Sequence, residues 1–180
     1  MKGIIYSVCR RVTVVDITHN IPKFNVKVAS VVLYFAYKYF PRGTVHSVTV
    51  YSKVGRGIRA LIVETENYTF VGPDNGVLSL AAQDDRVRRV YEVVNRVYMR
   101  GKSSTFHGRD IFAPVPTFLA CGVGPEEIGI PSDSYLTLAL EAPRVEEESA
   151  IEEVIRVDSY GKAYLSRCGR YTRRSGERKH

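Results

Sequence analysis

The alternation of apolar and polar positions in residues 12–51 predicts a strand, a helix and a second strand. Val12–Thr18 is rich in β-branched residues, which is typical of a buried strand in a parallel sheet. From Val26 to Phe40, apolar side chains recur every three or four residues, as they do on one face of a helix. Val45–Tyr51 is again β-branched. A strand, a helix and a strand with short connections form a βαβ unit, so we expect an α/β fold with a mostly parallel sheet and flanking helices.

The middle of the chain consists of shorter segments of the same two kinds. Their patterns predict strands at Ile58–Thr65 and Asn67–Val71, a helix at Val77–Gln83, a strand at Val87–Val94 and a helix at Ile111–Cys121. Pro73-Asp74-Asn75-Gly76 predicts a turn, because Pro fixes φ and Asn-Gly tolerates positive φ. We expect Asp74 to cap the helix that follows.

The composition changes after Gly129, where prolines and an acidic stretch replace the apolar pattern. Glu152–Leu165 alternates like two strands that turn at Asp158–Gly161. We therefore expect an N-terminal α/β domain over 1–140, an acidic linker over 141–150, a rudimentary β segment over 151–166 and a basic tail over 167–180.

The net charge of +7 is concentrated at one end of the chain. Residues 167–180 carry six Lys or Arg and one Glu, which is +5 of the total, so the remainder is nearly neutral. Because a short basic tail is usually a solvated end, specific nucleic-acid binding is not expected.

Several classes of protein are excluded by what the sequence lacks. The longest apolar run, Val28–Tyr37, has ten residues, whereas a membrane-spanning helix needs about 20. The N-terminus has no secretory signal pattern. The three cysteines, Cys9, Cys121 and Cys168, form no C-x-x-C pair. We expect them to be reduced and partly buried in a cytoplasmic protein.

Four segments, in this order, resemble one family: VVDITHNIP at 14–22, FPRGTVHSVTV at 40–50, FVGPDNGVLSLA at 70–81 and SSTFHGRDIFAPV at 103–115. The family is that of the S-adenosylmethionine (SAM) hydroxide adenosyltransferases, or SAM hydrolases, which are related to fluorinating and chlorinating enzymes. The resemblance implies attack of water or hydroxide on the 5′ carbon of SAM, which gives adenosine and methionine. It implies no metal and no cofactor, since SAM is the substrate.

The same resemblance implies a homotrimer, with the site between the large domain of one subunit and the small β-domain of the next. The family's first strand, which carries a ribose-binding aspartate, has no counterpart before Met1, and the small domain is short. We therefore expect a chain truncated at both ends relative to the family.

The resemblance also implies roles for particular residues. His107 matches the catalytic histidine, whereas a single histidine taken alone would be better explained as a structural loop residue. Phe106 matches an aromatic beside the ribose. Tyr51 and Ile58 stand where hydrolases have their catalytic aspartate and arginine, and Arg59 matches the arginine that follows.

Two further positions match substrate contacts of the family. Phe24 lies where the halogenating relatives stack an aromatic ring on adenine, and packing against the next helix is the alternative. Asp158 matches the aspartate of a substrate-binding Asp-x-Phe-Gly-Asn motif, in which Lys162 replaces the asparagine.

Three functions remain open at the level of the sequence. The first is an active SAM hydrolase that depends on His107. The second is a non-catalytic, truncated homologue that acts as a binding or assembly subunit. This hypothesis accounts for both substitutions, Tyr51 in place of the catalytic aspartate and Ile58 in place of the catalytic arginine. The third is a nucleic-acid-associated protein that works through the tail at 167–180.

Overall fold

The computed structural model describes residues 1–51, 57–100, 106–140, 144–145 and 150–166. The chain divides into two compact units, Met1–Leu138 and Ala139–His180. Within the described residues, no helix is both long and apolar enough to cross a membrane.

The first unit contains six helices and five strands among its described residues. In chain order they are α1 (Lys2–Val8), α2 (Val26–Ala36), β1 (Val45–Ser47), β2 (Ala60–Thr65), β3 (Thr69–Pro73), α3 (Ser79–Asp84), β4 (Val87–Val93), α4 (His107–Asp110), α5 (Pro114–Ala120), α6 (Pro125–Ile128) and β5 (Gly129–Pro131). The 3₁₀ turn Tyr37–Tyr39 extends α2, so the helix predicted from Val26 to Phe40 is confirmed.

The five strands form one mixed sheet in the order β1-β3-β2-β4-β5. Strands β1 and β3 pair in parallel, and the other three neighbouring pairs are antiparallel. The α/β class is confirmed, but the expectation of a mostly parallel sheet is wrong for the described residues. The reason is that β2 and β3 are joined by a tight hairpin, and a short hairpin forces antiparallel pairing.

The segment Val12–Thr18 is not a strand of this sheet. No backbone hydrogen bond joins it to another segment in the part of the chain that the structure describes. Val15 is 59% exposed and Ile17 is 40% exposed. The expectation of a buried strand at Val12–Thr18 is therefore wrong, because strand pairing depends on a neighbour that the local pattern does not reveal.

Apolar side chains cover both faces of the sheet because successive residues of a strand point to opposite sides. On one face, Leu61 and Val63 of β2 pack with α2 and α3. On the other face, Ile62 packs with Phe112 and with residues of α5 and α6. The result is a three-layer arrangement that fixes the segment around α4 against the sheet.

A disulfide bond links two of the three cysteines. Cys9, at the end of α1, is bonded to Cys121, at the end of α5, across a sequence separation of 112. The expectation that all cysteines are reduced is wrong for this pair. The fold brings the two helix ends to a Cα–Cα distance of 6.7 Å, which cannot be foreseen from the sequence spacing. Cys168 lies outside the described residues.

The second unit contains short antiparallel pairs. Strand β6 (Arg144–Val145) pairs with β7 (Ala150–Ile151), and β8 (Val154–Val157) pairs with β9 (Ala163–Leu165). The two strands β8 and β9 confirm the hairpin expected over Glu152–Leu165. Its turn contains Gly161 at a φ of +80°, a conformation that favours glycine.

Candidate active site

The side chains of Tyr51 and His107 meet, although the residues are 56 positions apart. Tyr51 follows β1, and His107 is the first residue of α4. Tyr51 Oη lies 2.9 Å from His107 Nδ1. The Tyr51 ring also packs at 6.1 Å, edge-on, against the buried ring of Phe112. Strand β1 and helix α4 thus present a hydrogen-bonded phenol–imidazole pair.

The protonation of Tyr51 is fixed by its surroundings. Burial raises the pKa of Tyr51 above its ordinary value, because the phenolate is poorly solvated there. The hydroxyl therefore keeps its proton at neutral pH and is available as a donor.

The backbone of α4 holds His107 in a tight packing arrangement. The carbonyl oxygen of His107 accepts from the N–H groups of Ile111 and Phe112, at 2.8 and 2.9 Å. A Cβ added at Gly108 would lie 3.3 Å from Thr49 Cγ2 and 3.8 Å from Met1 Sδ. The close approach of the backbone at Gly108, which the sequence pattern did not reveal, brings α4 against the segment between β1 and Tyr51.

Phe106 lies directly before His107 and is largely exposed. Its ring is 61% exposed and is covered on one side by the Arg109 guanidinium, 5.4 Å from the ring centroid. Arg109 donates to the carboxylate of Asp110, which is buried. An exposed aromatic ring beside His107 is available to a ligand.

The guanidinium of Arg59 is already bound within the protein. Its Nη2 and Nε donate to Asp74 Oδ2 at 2.6 and 3.1 Å. Its Nη1 donates to Ser132 Oγ and Glu92 Oε2 at 3.3 and 3.4 Å. Arg59 is therefore engaged with acceptors of the protein itself.

Asp74 has a different role from the helix cap expected for it. Besides binding Arg59, it accepts the N–H of Leu136 at 2.7 Å. The neighbouring Asn75 accepts the N–H of Val77 and donates to Val50 O. The Pro-Asp-Asn-Gly turn therefore ties three segments together, and the spacing alone could not reveal the partner Arg59.

Phe24 belongs to another loop, directly before α2. It is 51% exposed and has a φ of +64°, which is unusual for a residue with a large side chain. Among the described residues, no ring contact joins Phe24 to Tyr51 or His107. The adjacent Asn25 caps α2 by accepting from the N–H of Val28.

Asp158 lies in the second unit, where its carboxylate organises the β8–β9 turn. Its Oδ1 accepts the N–H groups of Tyr160 and Lys162, at 2.9 and 3.0 Å. These hydrogen bonds hold the pKa of Asp158 below its ordinary value. The turn chemistry thus accounts for this aspartate, and its role in substrate binding stays a prediction.

Metal ligands do not cluster in the part of the chain that the structure describes. No group of three or more His, Cys, Asp or Glu side chains there is suited to hold a metal ion. Residues 52–56, which follow Tyr51, lie outside that part.

Comparisons with known proteins identify the family. A family model for the SAM hydroxide adenosyltransferase N-terminal domain matches residues 1–129. An (R)-S-adenosyl-L-methionine hydrolase from Salinispora tropica is 35% identical over 171 residues, which are 93% of this chain and 65% of that protein. A fluorinase from Actinopolyspora mzabensis is 26% identical over 152 residues, which are 71% of this chain and 51% of that protein.

A solved structure has the same fold. The crystal structure of a conserved protein from Thermotoga maritima matches with a TM-score of 0.84 and 40% sequence identity, over 91% of this chain and 64% of that one. The chain spans less than two thirds of the length of these relatives. The resemblance carried by the four sequence segments is confirmed, and the chain belongs to the SAM hydroxide adenosyltransferase family.

Proposed function

We propose that this chain binds SAM or adenosine beside Tyr51 and His107 and, by itself, hydrolyses SAM weakly or not at all. The proposal depends on one observation above all, the 2.9 Å hydrogen bond between Tyr51 Oη and His107 Nδ1. The proposal takes its ligand from the family resemblance. It takes the low activity from Tyr51 and Ile58, which stand where the hydrolases have their catalytic aspartate and arginine.

The hydrogen bond determines what His107 can offer a ligand. We propose that Tyr51, whose hydroxyl keeps its proton, is the donor in this hydrogen bond and that His107 Nδ1 accepts. The imidazole proton then resides on Nε2, and His107 presents an N–H donor to the site. A general base needs an unprotonated nitrogen within reach of the water, so this tautomer binds acceptor groups and does not activate water.

The anionic nucleophile of the family reaction would be held by a cationic side chain, and Arg109, which covers Phe106, already donates to the carboxylate of Asp110. Ile58 replaces the arginine of the hydrolases, and Arg59 donates to Asp74. Loss of one electrostatic contact at such a site typically lowers the rate about 10²- to 10³-fold. The substitutions at Tyr51 and Ile58 therefore favour binding over turnover.

The adenosyl group would contact aromatic side chains. The exposed ring of Phe106 suits an apolar face of the ribose, and a ring such as that of Phe24 suits adenine. Base stacking on an aromatic side chain contributes about 1–3 kcal/mol. We propose that these contacts form in a homotrimer, as the family resemblance implies.

An adenosine-release assay with calorimetric titration tests the proposal. We expect wild type and His107→Ala to release adenosine from SAM at the same background rate. We expect calorimetry to detect adenosine binding to wild type and to show at least tenfold weaker binding to His107→Ala. His19→Ala is the matched control, since the His19 side chain is 79% exposed. Robust turnover that His107→Ala abolishes would restore the alternative, an active hydrolase, and absence of binding would contradict the proposal.

A further inference from the structure

We propose that the Cys9–Cys121 disulfide is a thiol-exchangeable clamp that holds α1 beside the His107 segment. In this proposal, reduction of the disulfide by a dithiol loosens α1 and the backbone around α4. The proposal goes beyond the proposed function, because it concerns control of the site and not its ligand.

Helix α1 is weakly anchored apart from the disulfide. It has seven residues, none of them buried, and its N-cap residue Met1 makes no side-chain capping bond. A helix of this length is marginal by itself, so its persistence depends on tertiary contacts. The ion pair of Lys2 with Asp16 is exposed on both sides, and such pairs contribute little.

The clamp connects α1 to the segment that carries His107. Cys121 is the C-cap of α5, which follows α4 closely in the chain. Met1 Sδ lies 3.8 Å from the position that a Cβ on Gly108 would occupy. A loosened α1 would therefore withdraw one of the groups that pack against the backbone next to His107.

A second connection joins the same elements through Arg100. Its Nη1 donates to Ser7 Oγ of α1 at 3.0 Å, and its backbone N–H donates to Asp110 O of α4 at 2.7 Å. This single residue thus contacts both α1 and α4. Motion of α1 would be transmitted to α4 through it as well as through Met1.

The bond is placed where thiol exchange can occur. Cys9 and Cys121 are both only partly buried, so an external thiolate can reach the disulfide. The thiolate of a dithiol attacks one sulfur, forms a mixed disulfide and releases the other cysteine as a thiolate, which takes up a proton. The second thiol of the reagent then closes its own disulfide and releases the remaining cysteine. The protein disulfide gains two electrons, and the dithiol is oxidised.

Amide hydrogen exchange on the full-length chain tests the clamp, with dithiothreitol as the dithiol. The chain is used with Cys168→Ser, so that only one cysteine pair is present, and is compared before and after reduction. We expect amides of residues 2–9 and 106–112 to exchange at least tenfold faster after reduction. Helix α3, which packs on the opposite face of the sheet, is the internal reference. The factor by which reduction speeds exchange should be at least ten times smaller for the amides of α3 than for those of residues 2–9 and 106–112.

Two further measurements keep the outcome unambiguous. The Cys121→Ser variant should show the fast amide exchange without dithiothreitol, and addition of dithiothreitol should not change its exchange rates. If this variant fails to fold, reduction of the unsubstituted Cys9–Cys121 pair provides the same comparison. Alkylation followed by mass spectrometry should find both cysteines protected after equilibration with oxidised glutathione. Free thiols under that condition, unchanged exchange on reduction, or an equal acceleration in α3 would each overturn the proposal.

Discussion

At the scale of single residues, His46 is a titratable group enclosed by aromatic rings. It is 4% exposed, and its ring stacks on that of Phe70 at 5.2 Å. Tyr37, Phe40 and Tyr68 surround the same imidazole. Within the described part of the chain, its Nε2 is buried without a hydrogen-bond partner. Burial lowers the pKa of His46 to about 4, and the carboxylate of Asp85 opposes this only in part.

The first prediction concerns stability in mild acid. The unfolded chain binds the His46 proton near its ordinary pKa of about 6.5, whereas the folded chain does so only near 4. The contribution of neutral His46 to the free energy of unfolding is therefore fully present well above pH 6.5. This contribution decreases as the pH falls from 6.5 towards 4. Between pH 7.5 and pH 5 we expect a loss of about 2 kcal/mol in the free energy of unfolding, measured with urea.

Substitution of the imidazole isolates this effect from that of other groups. His46→Phe should lose about 2 kcal/mol less than wild type over the same pH interval. His19→Phe, at an exposed position, should behave like wild type. An identical pH dependence in His46→Phe and wild type would show that His46 is not the group responsible.

At the scale of elements, the Asp74 carboxylate ties the end of β3 to Arg59, directly before β2, and to Leu136, in the segment after β5. The Asp74 side chain is 7% exposed. Its removal would leave the N–H of Leu136 without this acceptor and Arg59 without its shortest ion pair. Asp74→Ala should therefore lower the free energy of unfolding by about 2–4 kcal/mol in urea titrations.

A surface ion pair supplies the control for this prediction. Arg86 and Glu66 are 82% and 44% exposed, and their charged atoms are 3.4 Å apart. Arg86→Ala should change stability by less than about 0.5 kcal/mol. Equal losses in Asp74→Ala and Arg86→Ala would contradict the structural role assigned to Asp74.

Local elements were more predictable than their pairing. The helix from Val26 and the strands around residue 66 follow from apolar spacing, since one buried face imposes its period on the sequence. The same kind of pattern predicted a buried strand at Val12–Thr18, and that prediction is wrong because the segment has no strand partner among the described residues. Likewise, Tyr51 and His107 were individually recognisable by resemblance, whereas their hydrogen bond depends on how β1 and α4 pack. The Cys9–Cys121 bond is equally non-local.

At the scale of the whole molecule, positive charge is concentrated at one end of the chain. Residues 167–180 carry +5 of the net charge of +7. We expect that deletion of residues 167–180 changes the affinity for adenosine by less than about twofold. It should change the free energy of unfolding in urea by less than about 0.5 kcal/mol. The same deletion should abolish salt-sensitive retention on immobilised DNA, since that retention depends on basic side chains. Retention that survives the deletion would place a basic surface elsewhere.

The most direct test of the central claim is the tautomer of His107, observed by ¹⁵N NMR of the imidazole at neutral pH. If Tyr51 donates to Nδ1, the spectrum of wild type will show a ring proton on Nε2 and none on Nδ1. Tyr51→Phe removes the donor, so both neutral tautomers should then be populated. A wild-type ring protonated on Nδ1, with Nε2 free to accept a proton from water, would contradict the account and support a catalytic base at His107.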